Sequence, residues 1–82
     1  MVFMSQTQEP VRVAIIGTAA RSAHLYGPLI HALAPEVRLV SVWGRSSDSA
    51  RQLGTSLGVP WYINLDQLIK ETAPQIGVVS VA

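Results

Sequence analysis

The sequence predicts a doubly wound α/β fold, a parallel β-sheet with helices on both faces. Two observations lead to this prediction. Short apolar runs rich in β-branched residues lie at positions 11–16, 37–43 and 76–81. The segments between them carry apolar residues at helical spacing and are bounded by glycine and proline. Because the links are short, each helix has to return the chain so that successive strands pair in parallel.

The strands are predicted from their apolar character. The run at residues 11–16 has no polar face apart from one arginine, and Gly17 closes it. Such a run is typical of a strand buried on both faces of a parallel sheet. The second run ends at Gly44, and a brief extended piece follows at residues 61–63. The fourth strand is predicted over residues 76–81.

The first helix is predicted from a helical spacing of four apolar residues and from two prolines. Pro28 either sits in the first turn of the helix or kinks a longer one, and Pro35 ends it. The apolar residues with this spacing are Leu25, Leu29, Ile30 and Leu33.

The second and third helices carry clear end signals. Ser46, Ser47 and Asp48 are all competent N-caps for the second helix, and Gly58 is a natural residue to end it. Asn64, followed three residues later by Gln67, resembles a capping box that opens the third helix. The inward faces are predicted to be Ala50, Leu53 and Leu57 in the second helix, and Leu65, Leu68 and Ile69 in the third.

Length and composition indicate one small domain with an unusually apolar surface. The chain has 82 residues, of which 49% are hydrophobic and 13% are charged. Small domains have proportionally more solvent-exposed surface and so normally need more polar residues. We therefore expect a further C-terminal portion or a partner subunit to cover part of this apolar surface. We expect a flexible leader over residues 1–10. The domain over residues 11–82 is expected to be the N-terminal part of a larger two-domain protein.

Charge and residue usage exclude several functions. The net charge is +1 and no basic run is present, which argues against nucleic-acid binding. The absence of cysteine excludes disulfides and thiolate chemistry, and it fits a reducing cytoplasm. No apolar run approaches the length that spans a membrane. His24 and His31 have no cysteine or paired carboxylates beside them, so no metal site is predicted.

The first candidate site is the turn after the first strand, here called the glycine turn. In dinucleotide-binding proteins this turn presents backbone N–H groups to a diphosphate at a helix N-terminus, and it usually carries three glycines. Only the first glycine is present here, and small residues replace the other two. An ordinary strand-to-helix turn that needs one glycine is the alternative interpretation. The turn consists of Gly17, Thr18, Ala19, Ala20, Arg21 and Ser22.

The second candidate site follows the second strand and is here called the arginine loop: Gly44, Arg45, Ser46 and Ser47. Proteins that select NAD usually place an acidic side chain here, which accepts a hydrogen bond from the ribose 2′-OH. The arginine loop has no carboxylate, and Arg45 is suited to a 2′-phosphate. The pattern favours NADP over NAD. Alternatively, Arg45 is a solvated loop charge and the serines only cap the following helix.

The combined pattern resembles the N-terminal domain of the Gfo/Idh/MocA oxidoreductases, the family of glucose-fructose oxidoreductase and inositol dehydrogenase. No single segment is specific, but together they cover nearly the whole chain after the leader. The matching segments are VAIIGT at 13–18, LVSVWGRS at 39–46, ARQL at 50–53, LGVPWY at 57–62, NLDQLI at 64–69 and IGVVSV at 76–81.

The resemblance implies a Rossmann-type domain that binds NADP or NAD. It also implies hydride transfer to or from a small-molecule substrate such as a sugar, a polyol or a related carbonyl compound. A C-terminal domain would supply the substrate site and the contacts of a homo-oligomer. Ser80, Val81 and Ala82 would approach the cofactor, whereas the family's catalytic lysine and histidine would follow Ala82 and cannot be assigned.

Two alternatives remain open on the sequence. A CoA-binding Rossmann module uses a similar first turn and a Tyr-Gly pair a few residues later, as Tyr26 and Gly27 provide here. A non-catalytic family member that has lost its cofactor would explain the two missing glycines. The turn before His24 also looks about one residue short, which weakens the phosphate-binding pattern further.

Overall fold

A computed structural model describes residues 9–80 of the chain. It contains four strands, three α-helices and one π-helical segment. In chain order these are β1 (Val11–Ile16), the π segment (Ser22–Tyr26), α1 (Gly27–Ala32), β2 (Val37–Trp43), α2 (Ser47–Leu57), β3 (Trp61–Tyr62), α3 (Leu65–Thr72) and β4 (Ile76–Val79).

The strands form one parallel sheet in the order β3-β2-β1-β4. Ile16 at the end of β1 is in register with Trp43 of β2 and with Val79 of β4. The chain builds the sheet outward from β1 to β3 and then crosses back to place β4 on the other side of β1. This reversal creates a topological switch point, and the prediction of a doubly wound parallel sheet is confirmed.

The core lies under the centre of the sheet. Three successive residues of β1, Val13, Ala14 and Ile15, are buried. Because successive side chains of a strand point to opposite faces, both faces of β1 are covered, as predicted. The main cluster joins the sheet to α1 and α2 and consists of Val13, Ile15, Ile30, Leu39, Val42 and Leu53.

The opposite face carries α3. The hydroxyls of Ser41 in β2 and Thr72 in α3 lie 2.9 Å apart, and Leu68 of α3 is fully buried. The predicted inward positions of Leu65 and Ile69 are wrong, because these side chains are 40% and 51% exposed. The helix contacts β2 and the two-residue strand β3, so only one row of its side chains has sheet beneath it.

The predicted helix ends are largely confirmed. The side chain of Ser46 accepts a hydrogen bond from the Ser49 N–H and caps α2, and Gly58 ends that helix in the left-handed conformation at φ 72°. Asn64 caps α3 through the Gln67 N–H at 3.0 Å. The Gln67 side chain donates to Glu71 instead of returning to Asn64, so only half of a capping box forms.

The first helical stretch differs most from its sequence pattern. Pro28 lies in the first turn of α1, which confirms the first of the two predicted alternatives. However, Leu25, Leu29 and Leu33 are about half exposed, and Ile30 is the buried apolar residue. The wider π turn shifts the phase of the helix, so that Gly27 faces Leu57 of α2.

The remaining differences concern boundaries. Ile63 lies outside β3, and β4 ends at Val79. The predicted leader falls mainly on residues 1–8, and the last two predicted cofactor contacts fall on Val81 and Ala82. Both groups lie outside the described residues. Between residues 9 and 80, no helix is both long and apolar enough to cross a membrane.

Candidate functional site

Three segments that the sequence singled out meet at the carboxyl edge of the sheet. Gly17 follows β1, Gly44 follows β2 and Ser80 follows β4. Backbone hydrogen bonds tie them together, because the Gly17 N–H donates to the Trp43 carbonyl at 2.8 Å and the Ser80 N–H donates to the Ile16 carbonyl at 2.9 Å. The parallel register therefore gathers residues from opposite ends of the chain at one place.

The first residue of the glycine turn has a conformation and a neighbour that only glycine tolerates. Gly17 has φ 123°, a region that side chains rarely adopt. A Cβ atom built there would lie 1.9 Å from the carbonyl oxygen of Ser80. The backbone of β1 can turn here only because position 17 has no side chain, so this glycine has a structural role whether or not a ligand binds.

The last residue of the glycine turn fastens it to the helix. Ser22 is fully buried, and its hydroxyl donates to the Gly17 carbonyl at 3.0 Å. Its backbone N–H donates to the Ala19 carbonyl at 2.8 Å. Ser22 thus occupies the position where a dinucleotide-binding turn has its third glycine, and it adds a hydrogen bond that glycine lacks.

The middle of the turn is more open. Thr18 and Ala19 are half-buried, whereas Ala20 and Arg21 are exposed. Helical backbone runs from residue 20 to residue 32. The first N–H groups of a helix have no partner within it, so those of this stretch other than the Ser22 N–H, which donates to the Ala19 carbonyl, are suited to bind an anion.

The π segment begins at the buried Ser22. This widened turn has no sequence signal that we recognise, and π turns are often found at functional sites. His24 lies in this segment and is exposed. Its position leaves the imidazole in solvent.

The arginine loop combines a buried start with an exposed remainder. Gly44 is buried, and its N–H donates to the Tyr62 carbonyl at 3.0 Å. Arg45, Ser46 and Ser47 are exposed, and Arg45 forms no ion pair with any residue between 9 and 80. The Ser46 hydroxyl is occupied by capping α2. Arg45 and Ser47 are therefore the side chains of this loop most available to a ligand.

Ser80 closes the site on the β4 side. Its side chain is 4% exposed, and its hydroxyl has no hydrogen-bond partner among residues 9–80. A buried hydroxyl without a partner is unfavourable by about 1–3 kcal/mol. A hydrogen-bond partner for this hydroxyl, next to the end of β4, would therefore be stabilising.

Two cavities lie at different ends of the sheet. A cavity of about 340 Å³ adjoins the glycine turn and is lined by Thr18, Ala23, Ser49, Gln52, Leu53 and Ser56. A second cavity, of about 690 Å³, lies at the amino edge, where Arg12, Arg38 and Pro60 are among its lining residues. The larger cavity contains none of the residues predicted to contact a cofactor, so volume alone does not locate the site.

Two further polar side chains that could carry chemistry, those of His31 and Tyr62, have structural partners. The Nε2 atom of His31 lies 3.3 Å from the Leu57 carbonyl oxygen. No group of acidic and histidine side chains within residues 9–80 is arranged to hold a metal ion. Tyr62 donates to Glu71 at 3.1 Å; partial loss of solvent, followed by this hydrogen bond and the carboxylate charge, raises its pKa.

A parallel sheet whose first strand ends in a tight glycine turn, with the candidate residues at the switch point, defines a Rossmann-type nucleotide-binding domain. Residues 11–82 match the model of the Gfo/Idh/MocA oxidoreductase family, described as an oxidoreductase family with an NAD-binding Rossmann fold. The chain belongs to this family, and the predicted resemblance is confirmed.

Solved structures share the fold. The 3-ketoreductase KijD10 of Actinomadura kijaniata, solved with NADP, is 19% identical with a TM-score of 0.77, and the match covers 89% of this chain and 23% of that protein. GenD2 of gentamicin A biosynthesis, solved with NAD, is 24% identical with a TM-score of 0.75, over 90% of this chain and 21% of that one.

Biliverdin reductase from Synechocystis sp. PCC 6803, solved with biliverdin and NADP+, is 25% identical with a TM-score of 0.71. That match covers 88% of this chain and 22% of the reductase. The chain thus spans about a fifth of the length of each of these three proteins. No curated protein sequence matches the chain significantly.

Proposed function

We propose that the carboxyl edge of this sheet binds NADP in preference to NAD. The domain would serve as the nucleotide-binding part of an oxidoreductase that acts on a sugar, a polyol or a related carbonyl compound. The observation that carries the preference is the arginine loop: it starts with a buried glycine and continues with an exposed arginine that forms no ion pair within residues 9–80.

The glycine turn is proposed to bind the diphosphate. Its carboxyl-edge position next to a helix start is where backbone N–H groups and the helix dipole favour an anion. Ala19 replaces the second glycine and puts a methyl group where close approach is usual, so we propose a diphosphate held slightly farther out. Arg21 is exposed in the same turn and adds positive charge.

The arginine loop is proposed to bind the adenosine ribose. Arg45 would pair with a 2′-phosphate through its guanidinium, and the Ser47 hydroxyl would donate a hydrogen bond. No carboxylate is present in the loop to repel this phosphate. Asp48 is the nearest acid, but it lies in the first turn of α2, where it forms an ion pair with Arg51 at 3.2 Å.

The bound nicotinamide would supply the hydride acceptor or donor of the reaction. Ser80, Val81 and Ala82 are proposed to lie near the cofactor. The catalytic lysine and histidine, the substrate site and the homo-oligomer contacts are proposed to come from sequence after Ala82, as the family resemblance implies. We propose a cytoplasmic location, in keeping with the lack of cysteine.

The CoA alternative loses much of its support in the structure. Its main sequence feature is the Tyr26–Gly27 pair. A Cβ atom at Gly27 would lie 2.5 Å from Leu57 Cδ2, so packing against α2 already explains the glycine. The other alternative is a family member that has lost cofactor binding, and the replacement of the second glycine by Ala19 favours it. A titration distinguishes this alternative from NADP binding.

Titration of the full chain with NADPH, NADH and CoA tests the proposal. We expect NADPH to bind most tightly, and Arg45→Ala to weaken NADPH binding by about tenfold, which corresponds to about 1.4 kcal/mol. Arg38→Ala is the matched control, because Arg38 is also exposed and free of ion pairs within residues 9–80 but lies at the amino edge. Binding of neither nicotinamide, or tighter binding of CoA, would contradict the proposal.

A further inference from the structure

We propose that Thr18 sets the cofactor preference indirectly, by keeping position 44 closed to any side chain. This inference rests on the proposed function, but its physical basis is a contact between the glycine turn and the arginine loop. Position 44 is the first residue after β2, where proteins that select NAD commonly carry their acidic residue. Here Gly44 stands at that position, and it is buried.

The space that a side chain would need at position 44 is occupied. A Cβ atom built on Gly44 would lie 2.8 Å from the Cγ2 methyl of Thr18. The same atom would lie 3.0 Å from the Cβ and 3.1 Å from the Cα of Ala50 in α2. Carbon atoms in contact are normally about 3.5–4.0 Å apart, so the neighbours would have to move before even an alanine could fit.

The two neighbours differ in how they can respond. Ala50 is fully buried in the second turn of α2, and the helix would have to shift by a few tenths of an ångström to relieve it. Thr18 is half-buried, and its clashing atom is a single terminal methyl group. Thr18→Ser removes that methyl and keeps the hydroxyl. Thr18 therefore makes the shortest contact, and it is the contact that a single substitution can remove without moving α2.

The consequence is a steric contribution to selectivity. With Thr18 present, the Cβ of an aspartate at position 44 would meet the Thr18 methyl, and the turn proposed to hold the diphosphate would have to give way. The contact joins residues 26 positions apart, so a change of preference toward NAD requires two coordinated substitutions and not one. Thr18 is a positioning residue in this account and need not touch the cofactor.

A double-mutant cycle on thermal stability tests the contact without any cofactor. We expect Gly44→Ala to lower the Tm of the full chain by roughly 5–15 °C, and Thr18→Ser combined with it to recover at least about half of that loss. Gly77→Ala is the control substitution, because its Cβ would meet only Ile16 Cγ1 at 3.6 Å. It is expected to change the Tm by no more than a few degrees.

Thr18→Val keeps a methyl group at the Cγ2 position and is expected to give no recovery. If Gly44→Ala alone does not fold, the same test is whether Thr18→Ser restores a folded double variant and Thr18→Val does not. A Gly44→Ala variant as stable as Gly77→Ala would overturn the inference. So would a double variant with no recovery, because Ala50 alone would then close position 44.

Cofactor titrations provide the second readout. Gly44→Asp alone is expected to gain no affinity for NADH, whereas Thr18→Ser with Gly44→Asp is expected to gain about fivefold or more relative to it. An equal gain by Gly44→Asp alone would overturn the inference. If the unmutated chain binds neither nicotinamide, the proposed function fails. The stability cycle still decides whether Thr18 closes position 44.

Discussion

The two loops of the candidate site lie side by side at the same edge of the sheet, yet they are held very differently. The glycine turn is fixed from three directions: Gly17 donates to Trp43, approaches the Ser80 carbonyl and accepts a hydrogen bond from Ser22. The arginine loop is held at Gly44 and, through the cap of α2, at Ser46, whereas Arg45 extends into solvent. The difference separates a rigid element that we propose positions the ligand from an exposed side chain that we propose recognises it.

This contrast predicts that the two loops respond differently to changes in sequence. Substitutions in the glycine turn alter the fold and the site together, because its backbone is packed against neighbouring strands. Arg45 in the arginine loop touches no core residue, so its substitution is expected to change affinity while leaving stability nearly unchanged. Four substitutions test this separation, from the largest expected effect to the smallest.

Gly17→Ala is expected to have the largest effect. The added methyl would overlap the carbonyl oxygen of Ser80, and alanine would also have to adopt a φ of 123°. The overlap and the backbone strain together should lower the free energy of unfolding by at least about 3 kcal/mol. Thermal denaturation followed by circular dichroism measures the loss. A Tm equal to that of the unmutated chain would show that the turn is not fixed as described.

Ser22→Ala should have an intermediate effect, mainly on stability. It removes the hydrogen bond to the Gly17 carbonyl and leaves that buried oxygen without this donor, which should cost about 1–2 kcal/mol. The Tm should fall by roughly 4–16 °C for a domain of this size. Ser22→Thr, which retains the hydroxyl but adds a methyl in a fully buried position, separates loss of the hydrogen bond from overpacking.

Arg45→Ala should show the opposite behaviour. The free energy of unfolding should change by less than about 0.5 kcal/mol, because Arg45 is exposed and forms no ion pair within residues 9–80. NADPH affinity should fall about tenfold, and NADH affinity should change by less than about twofold. Equal losses for both nucleotides would show that Arg45 does not recognise the 2′-phosphate.

Ser46→Ala separates helix capping from ligand binding within the arginine loop. Because Ser46 accepts the Ser49 N–H, its loss should lower the free energy of unfolding by about 1 kcal/mol. NADPH affinity should remain within about twofold of the unmutated value. Asn64→Ala removes the equivalent cap of α3, far from the site, and calibrates the stability effect. A loss of NADPH affinity specific to Ser46→Ala would give this serine a direct binding role.

Much of the fold could be predicted because its signals are local. The strand β1 is an uninterrupted apolar run, and caps such as Ser46, Gly58 and Asn64 depend on a few neighbouring residues. β4 has a similar apolar run but lies at the edge of the described sheet, where Val79 is 68% exposed. Composition predicts that both are strands, but it cannot tell which of them is central.

The parts that could not be predicted depend on contacts between distant residues. The leucines at positions 25, 29 and 33 have the spacing of a buried helix face, but the π segment, which includes Leu25, changes the phase of the helix and all three are about half exposed. The sequence predicts that Gly17 and Gly44 end the first two strands. That Gly44 is closed off by Thr18 and Ala50 follows only from the packing of the two loops.

The most direct test of the central claim is a map of backbone amide chemical shifts during titration of the full chain with NADPH. We predict that the largest changes fall on Thr18, Arg21 and Arg45, and that Arg38 and Gly58 beside the amino-edge cavity remain unchanged. Changes confined to the amino-edge residues, or no change in the glycine turn at saturating NADPH, would contradict the account.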